Sequence, residues 1–330
     1  MKISHIQIDW LQIAYHSQIP LHVVDGKFFK LVAKAYGTSL FQTVYNVMFN
    51  DKEVAVLAAN PRVDFLEKNF CMLKILNEQL YTQDSATVAN QIAIDLQLKF
   101  NNVSRLDLCV DFNNFSNGLY PERLIKNFIM QGVNLLGKRK FVIHGKNLTE
   151  KKFDYLKFGN STSDVVCYLY NKTLELSEVK MKPYIVESWK QQGIDINKPV
   201  WRLEFSIKNS NKHLISKETG EALNFKAIEI LNKEFLHELF ALLQHKYFRF
   251  KKITGQQNIS READVKLFDF DYEKFIFKGV YDKKDSNRFS RIIAKKINEF
   301  NNEVRLRSID DANKIKEVYE MYVNSRMLPV

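Results

Sequence analysis

Asp107 and Asp111 lie four residues apart in Ser104-Arg105-Leu106-Asp107-Leu108-Cys109-Val110-Asp111-Phe112, a stretch whose carboxylates have the chemistry to hold a hard cation. Strict alternation reads it as a β-strand. Leu106, Leu108, Val110 and Phe112 fall on one face, with Arg105, Asp107, Cys109 and Asp111 on the other. Same-face neighbours on a strand are roughly 6.5–7 Å apart, so the two acids stand about 13 Å apart at the backbone. That is too far to share one cation without a bend, but either acid can anchor a metal if a neighbouring strand supplies the remaining ligands. Trp201-Arg202-Leu203-Glu204-Phe205-Ser206-Ile207-Lys208 repeats the pattern, with Arg202, Glu204, Ser206 and Lys208 on its polar face. Beside 104–112, it would set Glu204 opposite Asp107 or Asp111, and paired carboxylates suit Mg²⁺ or Mn²⁺. The competing account is a solvated sheet face on which Arg105 and Arg202 pair with the acids.

A nucleophile is available in Val165-Val166-Cys167-Tyr168-Leu169-Tyr170-Asn171-Lys172, where alternation puts Tyr168, Tyr170 and Lys172 on one face, opposite Cys167 and Leu169. A phenol with its ordinary pKa of about 10 attacks poorly at neutral pH. Lys172 or a carboxylate-held metal would stabilise the phenolate and make covalent attack feasible. The preceding Phe158-Gly159-Asn160-Ser161-Thr162-Ser163-Asp164 is a small polar turn whose backbone amides can approach a phosphate. Taken alone, a tyrosine pair on a strand is more often a packing feature.

The elements that must position these groups follow from periodicity. Ile6 to Tyr15 reads as a strand carrying Asp9-Trp10, and Thr43–Phe49 with Glu53–Ala58 read as a hairpin about Asn50-Asp51. Residues 62–81 fit either a helix or a strand. Val88, Ile92 and Leu96 predict a helix over 87–100, and Pro121 opens a helix whose buried side is Leu124, Ile125, Phe128 and Ile129. Strands are predicted at 139–144, 164–172 and 201–208, and long helices from about 222, including Phe225–His245 and one capped near Asp285-Ser286. Without strict β-α-β alternation, the fold class is α+β: a mainly antiparallel central sheet flanked by helices, with a helical, basic C-terminal portion.

With 330 residues, 45% of them hydrophobic and 13% aromatic, the chain is a folded globule rather than a disordered polymer. Its net charge of +11 suits a polyanionic partner. No apolar run approaches the roughly 18 residues needed to span a membrane, and Met1-Lys2-Ile3-Ser4-His5 lacks a signal-peptide pattern. Three separated cysteines give neither a zinc ribbon nor a disulfide framework, so the expectation is a cytoplasmic protein. Lys283, Lys284, Arg288, Arg291, Lys295 and Lys296 form a basic cluster on a predicted helix, suited to neutralising DNA phosphates. Lys246–Lys252, interleaved with Tyr247, Phe248 and Phe250, reads either as a base-stacking segment or as an edge strand with a buried aromatic face.

Taken in order, these elements resemble the trans-acting replication-initiator family of rolling-circle plasmids and filamentous phages, with its related mobile-element relaxases. Asp9-Trp10-Leu11 resembles that family's Asp-Trp-Leu strand, and 104–111 its Thr-Arg-Ile-Asp-Leu-x-x-Asp element. Residues 158–164 resemble its Gly-Ser-x-x-Ser turn, Leu169-Tyr170-Asn171-Lys172 its Arg-Ile-Tyr-Asp-Lys segment, and Trp201-Arg202-Leu203-Glu204 its Arg-x-Glu strand. The resemblance runs from about residue 6 to 208. It departs at Tyr168, where the family has Arg, and at Asn171, where it has Asp.

The resemblance implies a metal-dependent DNA nicking-closing enzyme that cuts one strand at an origin, keeps a 5′-phosphotyrosine and leaves a 3′-hydroxyl primer. It makes Tyr170 the nucleophile, with Tyr168 as the alternative. Asp107, Asp111 and Glu204 become ligands for Mg²⁺ or Mn²⁺, and Lys172, Arg105 and Arg202 phosphate contacts. The implied partners are origin DNA, as duplex flank and single-stranded nick site, together with a host helicase and a second copy of the chain; no membrane is implied. Residues 1–210 would be the nickase-like domain and 211–330 a mainly helical DNA-binding or accessory region. The rival readings are a mobile-element relaxase of the same chemistry, a non-catalytic DNA-binding replication regulator on this scaffold, and a carboxylate-metal nuclease that uses water. The histidine-hydrophobic-histidine strand of the other large nickase class is missing, since no two of the seven histidines are two apart.

Overall fold

The computed structural model describes residues 5–23, 26–137, 139–145, 153–160, 162–208, 214–216, 228–256, 258–270 and 277–279. The strands before the central helices are β1 (Gln7–Ser17), β2 (Phe29–Ala33), β3 (Phe41–Phe49), β4 (Lys52–Pro61) and β5 (Phe70–Ile75). Helices α1 (Asn77–Thr82) and α2 (Ser85–Asp95) precede the long β6 (Leu98–Phe112), followed by α3 (Pro121–Ile129). Then come β7 (Val133–Leu135), β8 (Phe141–His144), β9 (Tyr155–Phe158), β10 (Val165–Asn171), α4 (Lys172–Glu178), α5 (Pro183–Gln191) and β11 (Trp201–Lys208). The remaining described elements are β12 (Leu214–Ser216), α6 (Lys233–Tyr247), β13 (Phe250–Lys252) and β14 (Phe277–Gly279).

Ten strands form one antiparallel sheet in the order β2-β3-β4-β5-β1-β6-β11-β10-β9-β8. The fold is thus α+β, with helices flanking a mainly antiparallel sheet. Every strand expected to carry chemistry lies in its centre, since β1, β6, β11 and β10 are consecutive neighbours. The apolar face is built as the alternation of β6 and β11 requires: Leu106, Leu108, Val110, Phe112, Trp201, Leu203, Phe205 and Ile207 are all buried. Helix α6 covers part of it, Phe240 meeting Phe205 edge-on at 5.1 Å, and Phe128 of α3 meets Phe158 at 5.6 Å. Through α6 and β13, the described part of the chain beyond residue 210 shares this core.

The other face is not the solvated surface expected of an Arg-Asp strand. Asp111 is 8% exposed because Trp189 of α5 packs on it and Tyr81 of α1 on its partner Arg202, and Asp107, 2% exposed, is capped by Arg105. Leu176, Ile185, Trp189, Ile194 and Val200 form a second apolar cluster there. Several local readings shift for identifiable reasons. The ambiguous 62–81 segment resolves into β5 followed by α1. The helix predicted over 87–100 spans Ser85–Asp95, capped by the Asp84 carboxylate accepting from the Thr87 amide, and the chain turns into β6 through Gln97 at φ 53°. Ile129, expected on the buried side of its helix, is exposed. The helix expected from Phe225 begins at Lys233, where the Asn232 side chain accepts from the Phe235 amide. The 246–252 segment is the edge-strand alternative: Tyr247, Phe248 and Phe250 are buried and β13 pairs with β7, so these rings are unavailable to bases.

Candidate functional site

A buried ionic network occupies the covered face. Arg202 on β11 is 0% exposed. Its Nε and Nη2 donate to Asp111 Oδ1 and Oδ2 at 2.6 and 2.7 Å, and its Nη1 donates to Asp9 Oδ1 at 2.6 Å. Trp189 Nε1 on α5 donates to Asp111 Oδ2 at 2.7 Å, and the Tyr81 hydroxyl on α1 donates to Asp9 Oδ1 at 2.8 Å. Sheet register brings these groups together: Arg202 lies directly opposite Asp111, and β1 borders β6 on the other side. A bulge at Asp9, between the Ile8–Leu108 and Trp10–Asp107 pairs, puts both Asp9 and Trp10 on the polar side while Ile8 and Leu11 stay in the core. Burial alone would raise the Asp9 carboxyl, but Arg202, Lys172 and the hydrogen bonds from Tyr81 and Asn77 outweigh it and hold it well below the usual range.

The site itself opens beside this network. A cleft of about 400 Å³ is lined by Tyr170, Glu204, Tyr168, Tyr155, Arg105 and Asp154, among others. The Tyr170 hydroxyl donates to Glu204 Oε2 at 2.8 Å. Glu204 pairs across strands with Tyr168 on one side and Cys109 on the other, so it falls between Asp107 and Asp111 in register rather than opposite either. Burial and the neighbouring charges of Asp9 and Asp107 push its carboxyl up to about 7, against the opposing pull of Arg202 and the Tyr170 hydrogen bond. Burial, followed by the Glu204 charge, lifts the Tyr170 phenol well above its ordinary value. Tyr168 is raised for the same two reasons, and Tyr155, whose ring lies 6.5 Å from that of Tyr170, is pushed up to about 12 by burial. Free phenolate is therefore scarce, and any attack by Tyr170 needs a proton acceptor already in contact with it.

The residues singled out from sequence separate into two groups. Tyr170, Glu204, Tyr168 and Arg105 share the cleft. Arg202 and Asp111 do not open to it: they neutralise each other in the buried network, so Arg202 is no phosphate contact and Asp111 has both oxygens taken. Asp107 is held by Arg105, whose Nε and Nη2 donate to its two oxygens at 3.0 and 2.6 Å. Lys172 lies just beyond the end of β10 and does not line the cleft. The Asn171 side chain accepts from the Leu174 amide and starts α4 there, so Lys172 turns inward, 2% exposed, and pairs with Glu175 at 2.8 Å. Its Nζ still lies 5.5 Å from the centre of the Tyr170 ring. Lys283, Lys284, Arg288, Arg291, Lys295 and Lys296 lie outside the described residues.

The three expected carboxylate ligands therefore do not assemble as a metal set. Among the described residues, no three His, Cys, Asp or Glu side chains are arranged to hold an ion. Reasoning from sequence also missed Tyr81, Trp189 and Asp154. The first two carry no local signal, because their partners lie on strands remote in sequence. Asp9 did carry one, a carboxylate inside an apolar strand, yet without a site role.

No protein-family model matches the chain, and no curated protein matches it. Among solved structures, a rolling circle replication initiator protein from Geobacillus stearothermophilus is similar over 80% of this chain and 94% of that one, at 15% identity and a TM-score of 0.48. Likeness at that level fixes neither chemistry nor partner. No helix among the described residues is long and apolar enough to cross a membrane.

Proposed function

We propose that the cleft cuts a DNA strand by attack of the Tyr170 hydroxyl on a phosphodiester, as an initiator of rolling-circle replication does. The observation that carries the reading is the 2.8 Å hydrogen bond from Tyr170 to Glu204 inside the cleft. Oη of Tyr170 forms the new bond to phosphorus while the bond to the 3′-oxygen breaks. The phenolic proton passes to Glu204, and the departing 3′-oxygen takes up a proton to become the hydroxyl primer. A base whose pKa is near 7 is matched to this work, since about half of it is deprotonated at neutral pH and it is basic enough to accept a proton in the transition state. Arg105, bordering the same cleft, offers a guanidinium to the charge growing on the phosphate. Because the expected metal ligands do not come together, no step is routed through a cation.

The test is to incubate the protein with a supercoiled plasmid carrying its origin and with labelled single-stranded origin DNA, with and without Mn²⁺. The expected outcome is a covalent protein–DNA adduct that Tyr170→Phe abolishes. Nicking without an adduct would replace this mechanism by hydrolysis through water, and binding without nicking would make the chain a DNA-binding regulator.

A further inference from the structure

Beyond the cleft, the polar sheet face carries cations held against aromatic rings in a line across the strands. Lys74 Nζ on β5 and Arg105 Cζ on β6 lie 3.5 and 4.3 Å from the centre of the Trp10 ring on β1. Across the cleft, Lys157 Nζ on β9 lies 5.6 Å from the centre of the Tyr168 ring on β10. Register sets the line in two rows: Lys74 and Arg105 both pair with Gln12, while Lys157, Tyr168 and Glu204 form a row that meets β6 at Cys109, four residues along from Arg105, and the Arg105 side chain bridges the step by bordering the same cleft as Tyr168. All five side chains are half-exposed. From β5 to β9 there are five strand intervals, about 24 Å across the sheet at ~4.8 Å each, with a step of about 13 Å along β6 between the two rows.

Two features distinguish this line from an ordinary charged surface. Among the described residues, neither Lys74 nor Lys157 has a carboxylate within ion-pair distance, although each is partly withdrawn from water. Burial, then the nearby charges of Arg105, Lys182 and Lys34, lower the Lys74 pKa, so cations here crowd one another faster than acids compensate them. Such crowding is relieved by an anion. The line also leads into the cleft, where Tyr168 and Arg105 border Tyr170 and Glu204.

We infer that the line Lys74–Trp10–Arg105–Tyr168–Lys157 is a track for the backbone of single-stranded DNA, laying its phosphates across the sheet so that one reaches Tyr170. This rests on the strand-cutting reading of the cleft. The rings fix the cations in place, which lowers the entropy cost of gripping a flexible strand, and a basic groove lined with aromatics is how unpaired strands are bound without sequence preference. A single strand fits a line one side chain wide; a duplex would need cations on both sides of it.

The experiment is fluorescence anisotropy of the full chain with a labelled oligothymidylate and with a duplex of equal length, over a range of salt. For a single strand each phosphate contact contributes a slope of about 0.7, so Lys74→Ala and Lys157→Ala should each weaken binding about fourfold at ~0.15 M salt and flatten the slope by about 0.7. The double variant should lose about fifteenfold on the same reasoning. Lys52→Ala, the same charge loss at an exposed hairpin residue, should bind as the wild type does. Wild-type affinity and slope in both strip variants, an equal loss in Lys52→Ala, or losses confined to the duplex would overturn the track. Tyr170→Phe keeps the two readings apart. If no adduct ever forms but the strip variants weaken oligothymidylate binding, the cutting reading falls and the track stands. If the Tyr170 adduct forms while both variants bind normally, the track alone falls.

Discussion

Replacing Glu204 by Gln removes the proton acceptor while keeping the shape of the side chain, and it should move activity and stability in opposite directions. Loss of a positioned base commonly costs 10²–10⁴ in rate, so adduct formation in Glu204→Gln should fall by about that factor. In the wild type the rate should climb about tenfold per pH unit below about 7 and level off above it, as Glu204 gives up its proton. In the variant that limb should vanish. Stability follows from the same carboxyl. Its folded-state pKa of about 7 stands above the ordinary 4.5, so the folded protein holds the proton more tightly than the unfolded chain. The resulting penalty on folding is absent below pH 4.5, develops as pH rises, and is complete above about 7. At ~1.4 kcal/mol per pH unit, discounted for solvent at the cleft mouth, the penalty is on the order of 2–3 kcal/mol. Glu204→Gln should therefore be the more stable protein in urea at pH 8 and lose that advantage by pH 4. Single-turnover adduct assays against pH, paired with urea titrations at both pH values, read the two effects separately. An acid limb that persists in Glu204→Gln would refute Glu204 as the base, and a variant no more stable at pH 8 would refute the buried-charge account of its pKa.

Three further outcomes are expected. Tyr168→Phe should keep the covalent adduct in a gel assay of labelled DNA, because the hydrogen bond to Glu204 comes from Tyr170; loss in Tyr168→Phe with retention in Tyr170→Phe would exchange the two roles. Arg202→Met should cost about 3–5 kcal/mol in urea unfolding at pH 7, since it leaves Asp9 and Asp111 buried without their cation; a cost under about 1 kcal/mol would mean water reaches the network. Gly159→Ala should lose about 1–3 kcal/mol of stability, because φ is +98° there and an added β carbon would lie 3.2 Å from the Val165 carbonyl oxygen; a neutral thermal melt would show that the turn relaxes.

What the sequence made legible is what depends on alternation. The 201–208 strand was readable to the residue, and the apolar faces of β6 and β11 to the side chain, because period two is set by backbone geometry alone. The central adjacency of β6 and β11 was a fair guess from their matching patterns. Register was not, and register decides roles. A shift of two residues would have set Glu204 against Asp107 or Asp111 as a carboxylate pair; the observed register sets it against Cys109 and gives Asp111 to Arg202. Lys172 shows the limit in miniature. Alternation assigns it to the side of Tyr170, and its Nζ does lie 5.5 Å from that ring, but the asparagine cap that ends the strand buries it against Glu175, outside the cleft lining.

The burial of the polar face explains why the same acids invite two different readings. On an exposed strand, Asp107 and Asp111 would be interchangeable and each would stay open to a cation. Withdrawn from water, a carboxylate must find a permanent partner or lose its charge, and the three acids meet that demand differently. Asp111 is neutralised from inside by Arg202. Asp107 is neutralised at the edge by Arg105. Glu204 has only a phenol to lean on, so burial lets it keep its proton up to about pH 7. Asp9 and Asp107 supply the negative charge that keeps Glu204 basic, while Arg202, the cation that Asp111 holds, pulls the other way. On this argument Asp111→Asn should act on cutting through Glu204, by lowering its pKa as the protein field becomes less negative, rather than through a lost ligand. The acid limb of the rate profile would then shift to lower pH instead of disappearing, which added Mn²⁺ would not reverse. A limb left unmoved in Asp111→Asn would break the electrostatic link between the network and the cleft.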